Sequence, residues 1–75
     1  MTSAIVKIKT REHPTRVITD RLAGIPGIID VYPVTGNYDL VAIIEVADTS
    51  AGRHLVEDKI LLVDGIQSAR LTNTL

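Results

Sequence analysis

The sequence repeats itself. Sliding the chain along itself by 38 residues lays Ala4 on Ala42, Ile5 on Ile43, Val6 on Ile44 and Ile8 on Val46. The same shift lays Val17 on Leu55, Ile18 on Val56, Leu22 on Ile60, Ile25 on Val63, Gly27 on Gly65 and Ile28 on Ile66. Each half therefore offers the same apolar positions in the same order, strand then helix then strand. Two such units interleave naturally as a split βαβ sandwich. The fold class this implies is α+β: a ferredoxin-like βαββαβ sandwich, with a four-stranded antiparallel sheet carrying two helices on one face.

Local patterns agree. From Ala4 to Lys9 the residues alternate, with Val6 and Ile8 on one side and Ile5, Lys7 and Lys9 on the other, as in a strand. His13-Pro14 breaks that run, and Pro14 suits the first turn of a helix. Val17, Ile18, Leu22 and Ile25 follow at helical spacing, with Arg16, Asp20 and Arg21 on the wet side. Gly24 and Pro26-Gly27 stop that helix. Ile28 to Val34 reads as a strand that Pro33 confines to an edge or bulge, and Gly36-Asn37 reads as a tight hairpin turn. Leu40 to Val46 is the most apolar strand. Asp48, Thr49 or Ser50 caps a second helix bearing Leu55, Val56, Ile60 and Val63, which Gly65 ends before a last strand from Ile66 to Leu75.

A chain of 75 residues makes one domain, and at that size only about 60% of the unfolded surface is buried. Two helices cover one face of the sheet, yet the third strand is apolar on both. Leu40, Ala42, Ile44 and Val46 form one side; Val41 and Ile43, interrupted by Glu45, form the other. At ~25 cal/mol per Å² of apolar surface, covering Val41 and Ile43 with a second sheet drives dimerisation through the sheets. The plainer reading is a few tolerated surface aliphatics.

Several function classes are disfavoured. Eight basic against nine acidic residues give a net charge of −1, which argues against direct nucleic-acid binding. Strands one and three carry Val6, Ile8, Ala42 and Ile44 where an RNA-binding sandwich of this topology stacks aromatics. With no Cys there is no disulfide, thiolate metal site or thiol nucleophile. His13 and His54 lack metal-ligand spacing and read as surface residues; no cofactor is called for. Arg53, Glu57, Asp58 and Lys59 read as a solvated helix face. No catalytic constellation assembles, so the chain is not expected to be an enzyme. The N-terminus resembles no signal peptide and no run approaches a membrane span, so a soluble cytoplasmic protein is expected.

One segment carries more chemistry than a hairpin needs: Val34-Thr35-Gly36-Asn37-Tyr38-Asp39-Leu40. Gly36 and Asn37 can expose backbone N–H groups to a carboxylate, and Asp39 beside them can take an ammonium group. Those donors and that acceptor match an amino acid's two charged ends. An ordinary turn, with Asp39 capping its own backbone, is the alternative.

The segment V-T-G-N-Y-D-L between two strands resembles the G-x-x-D signature of the Lrp/AsnC regulator effector domain. I-P-G-I-I-D-V-Y-P-V before it and I-L-L-V-D-G-I-Q-S-A-R after the second helix are similar to that family too, so the resemblance spans the chain. It implies sheet-to-sheet dimers, further assembly into rings, and amino acids bound between subunits near the turn, with Gly36, Asn37, Tyr38 and Asp39 as ligand-binding residues. It also implies that residues 1–75 act as one ligand-sensing and oligomerisation domain. Full-length members carry an N-terminal helix-turn-helix. This sequence starts at the first effector strand and so resembles the free-standing effector-only subgroup, with full-length family regulators as candidate partners. The family's last strand often shows T-x-T, whose hydroxyls help line the pocket. Ala69 and Leu71 stand at those positions, which predicts weak binding and a preference for apolar side chains.

The function expected is thus an amino-acid-binding regulatory and oligomerisation module that modulates transcription through family partners. A purely structural assembly domain and an ACT-type amino-acid sensor, commonly paired edge to edge, are the alternatives. An acylphosphatase-like hydrolase would need a phosphate-cradling loop at Arg11, and the Gly-rich loop is missing.

Overall fold

Alternation places Ala4, Val6 and Ile8 on one side of strand β1 (Thr2–Thr10), and all three are buried in the computed structural model, which describes residues 2–11 and 14–72. The remaining elements follow in the expected order: α1 (Thr15–Ala23), β2 (Ile28–Pro33), β3 (Leu40–Val46), α2 (Thr49–Leu55) and β4 (Ile66–Thr72). The sheet runs β2-β3-β1-β4 and every neighbouring pair is antiparallel. This is the ferredoxin-like βαββαβ sandwich. His13 and the expected end of the last strand at 73–75 lie outside the described residues.

The repeat has a physical basis. Ile18 and Leu22 on α1 are fully buried, and their counterparts Val56 and Ile60 are buried too. Both helices then leave by the same turn. Ile25 N–H donates to the Leu22 carbonyl (3.0 Å) and Ile28 N–H to that of Ile25 (3.2 Å). In the second half Val63 donates to Ile60 (3.1 Å) and Ile66 to Val63 (3.3 Å). Gly27 and Gly65 sit at φ +100° and +98° in the matching place. The positive φ favours glycine there, and a Cβ on Gly27 would also stand 3.3 Å from Leu55 Cδ2, so that the leucine would have to give by a few tenths of an ångström.

Some expectations need correction. Pro14, with ψ 141°, is the last extended residue before α1 and not part of its first turn. Its ring still fits the boundary because it asks for no backbone donor. Of the three candidate caps of α2, Asp48 acts: its Oδ1 accepts from Ala51 N–H at 2.8 Å. The second helix does not continue as a uniform α-helix. Val56–Ile60 is π-helical, and Leu61 N–H reaches back to the Val56 carbonyl at 2.9 Å. Four-residue spacing of Val56 and Ile60 suits either form, so periodicity could not separate them. Gly36-Asn37 is not a two-residue turn either. The connection runs from Val34 to Asp39, closed by Val34 N–H donating to the Asp39 carbonyl at 3.0 Å. The β2 edge is blunted by Pro33 and by a bulge between Ile28 and Asp30.

One face of the sheet meets the helices. Val6, Ile8, Leu40, Ala42 and Ile44 on it are fully buried. Val6, Ile8, Ala42 and Ile44 therefore point inward and are not the positions at which such a sheet would stack bases. Cross-strand register shows what points outward. One row runs Tyr32, Val41, Lys7, Arg70; the next runs Asp30, Ile43, Ile5, Thr72; Glu45 pairs with Ser3 below. The centre of this open face is aliphatic: Val41, Ile43 and Ile5 are each half-buried in the protomer.

Candidate functional site

The Val34–Asp39 connection is held down at its C-terminal end. Asp39 N–H donates to the Ile8 carbonyl of β1 at 2.9 Å. The Asp39 carboxylate accepts, on Oδ2, from the Thr10 backbone N–H at 2.8 Å and from the Thr10 hydroxyl at 3.2 Å. Asp39 therefore does not cap its own turn. It clamps the turn to the end of β1, where the strand's register slips between Lys9 and Thr10 and leaves the Thr10 amide needing a partner. Its other oxygen, Oδ1, takes no hydrogen bond among the described residues.

The rest of the turn is open. Gly36 is exposed with φ +106°, and nothing comes within 4 Å of where its Cβ would stand. The amides of Gly36 and Asn37 donate to nothing among the described residues. Tyr38 is half-buried, and Lys7 Nζ lies 5.9 Å from its ring centroid, at the outer limit of a cation–π contact. Two free donors, a fixed carboxylate with one oxygen to spare and an aromatic wall thus occupy one end of the sheet. Chemically this can receive a small zwitterion.

A second feature went unread in the sequence. Between α2, the π-helical segment and the β4 edge lies an open cleft of about 450 Å³. Arg53 and Glu57 supply charge and Val56, Leu61, Ala69 and Leu71 supply apolar wall, while Arg70, which the register turns to the other face of the sheet, only borders the cleft. Arg53 and Glu57, expected only to be solvated, thus face a concavity. The available signal was their position: they flank the buried Val56 on the side of the helix turned toward the last strand. The Arg11 backbone N–H donates to the Gly65 carbonyl at 2.8 Å. His54 is exposed on α2, and no group of three or more metal-ligating side chains gathers among the described residues.

Residues 3–75 match the family model for the Lrp/AsnC ligand binding domain. The chain belongs to the Lrp/AsnC ligand-binding domain family. A protein of Thermus thermophilus shares 30% identity with it at a TM-score of 0.87, over 96% of this chain and 90% of that one. A transcriptional regulator of Neisseria meningitidis, solved as a complex with L-Met, shares the fold at 21% identity and a TM-score of 0.83. Escherichia coli AsnC does so at 19% identity and a TM-score of 0.84. This chain is covered over 99% and 95% of its length in those two comparisons but spans only 49% and 48% of the two regulators. No protein of curated function matches the sequence.

The Lrp/AsnC domain is a ligand-binding one and not a catalytic one. Against that background the two departures noted in the last strand have a location. Ala69 and Leu71 both line the 450 Å³ cleft with apolar side chains. No described helix is long and apolar enough to cross a membrane.

Proposed function

We propose that this domain is a cytoplasmic, amino-acid-responsive regulatory module, assembled from identical copies through the open sheet face. Its ligand sits against Gly36, Asn37, Tyr38 and Asp39, and the module acts on transcription through full-length regulators of its own family. The observation that carries the reading is the pairing of free amides at Gly36 and Asn37 with an Asp39 carboxylate already fixed by Thr10. A preset acceptor and preset donors lose little freedom on binding, which favours a ligand carrying an ammonium and a carboxylate on one carbon. Val41 and Ile43 at the centre of the open face support the assembly half of the proposal, because a half-covered aliphatic patch gains most from a second copy. On this reading residues 1–75 act as one sensing and assembling unit, with rings of dimers as the higher form that the family resemblance implies.

Calorimetric titration with the twenty L-amino acids tests the ligand half. Saturable heat is expected with apolar side chains and weak binding, with a dissociation constant of about 0.1–1 mM, since the family resemblance implies hydroxyls where Ala69 and Leu71 stand. Silence across the whole panel would favour a purely structural assembly domain.

A further inference from the structure

The open sheet face is electrically lopsided as well as apolar. Lys7 and Arg70 stand side by side on β1 and β4, with Lys9 next along β1. Asp30 and Glu45 occupy the opposite quarter, on β2 and β3, across the Ile5–Ile43 pair. None of these five charges forms an ion pair with another inside the protomer among the described residues. Asp30 is nevertheless held in place: its Oδ2 accepts from the Tyr32 hydroxyl at 2.8 Å and its Oδ1 from the Val31 amide at 2.9 Å. That hydrogen bond, and then the negative charge itself, raises the Tyr32 phenol above its ordinary pKa, so the donor stays protonated.

We infer that this polarity is a pairing code: the basic quarter of one copy docks on the acidic quarter of a second copy of the same chain. The inference rests on the open-face assembly proposed above and adds its register. A two-fold axis through the aliphatic centre brings Lys7 and Arg70 of one copy over Asp30 and Glu45 of the other, and symmetry makes that contact twice. Other registers place like charges opposite one another over a desolvated patch, which disfavours them strongly. The apolar centre supplies cohesion and the charges select the orientation and the partner.

The test uses sedimentation equilibrium on the intact chain and two double variants. Lys7→Glu with Arg70→Glu makes the face largely acidic; Asp30→Lys with Glu45→Lys makes it wholly basic. Each alone should dimerise about a hundredfold more weakly than wild type, while the equimolar mixture should recover dimers that contain one copy of each. Circular dichroism checks that both variants keep the protomer fold. If the variants dimerise as well as wild type, or if mixing them restores nothing, the pairing code is wrong. Ile43→Lys separates register from assembly. Dimers that persist in that variant, or a wild type that stays at 8.1 kDa, would instead overturn the open-face assembly itself.

Discussion

Ile44→Lys is expected to abolish the folded state, while Ile43→Lys, one residue away, leaves a folded protomer that no longer dimerises. Ile44 is fully buried between β3 and the helices. Placing an ammonium group there removes a packed side chain, worth about 2–5 kcal/mol, and strands an unpaired charge at a further cost of several kcal/mol. A chain of this length has only about 4–11 kcal/mol of stability to lose. Ile43 pairs with Ile5 and Asp30 on the open face, where a lysine stem can lie along the surface and its head reach water. Its expected cost to the protomer is about 1 kcal/mol or less. Far-ultraviolet circular dichroism and sedimentation, run together on both variants, read the difference. Equal loss of helix in both would mean the two faces are wrongly assigned.

Asp39→Ala is expected to lower both stability and ligand affinity, by separable amounts. The carboxylate satisfies the Thr10 amide at 2.8 Å and its hydroxyl at 3.2 Å. Removing it leaves a half-buried donor without a partner, at about 1–3 kcal/mol, which for a domain of this size lowers the melting temperature by about 5–20 °C. Loss of a charged partner for a ligand ammonium adds about tenfold to a hundredfold in dissociation constant. Asp39→Asn divides the two effects. An amide oxygen can still accept from Thr10, so most of the thermal stability should return, but the negative charge does not. Thermal melts and titrations of the three proteins check this. Affinity restored in Asp39→Asn would show that Asp39 acts only as the clamp.

The sequence made the repeat legible, and with it the order of elements, the buried set and the sheet topology. Those follow from alternation and helical spacing, which register burial directly. Gly27 and Gly65 were visible as stops because their neighbours were helix ends. What stayed hidden depends on contacts between distant segments. Thr10 and Asp39 are 29 residues apart, and nothing in either neighbourhood says that a slipped strand end needs a carboxylate. The π-helical segment was hidden because its buried residues keep four-residue spacing. The cleft was hidden because Arg53 and Glu57 look like any wet helix face until β4 is placed beside them. Lys7, Arg70, Asp30 and Glu45 come from four different strands, so their polarity exists only once the register is known.

The ligand site itself is best tested by an amide-resolved titration of the isotopically labelled protein with L-methionine, the amino acid present in the Neisseria meningitidis complex. The free amides of Gly36 and Asn37 and the clamped amides of Thr10 and Asp39 should shift together and saturate along one binding curve. Saturable shifts confined to other parts of the chain, with those four amides unmoved, would contradict it.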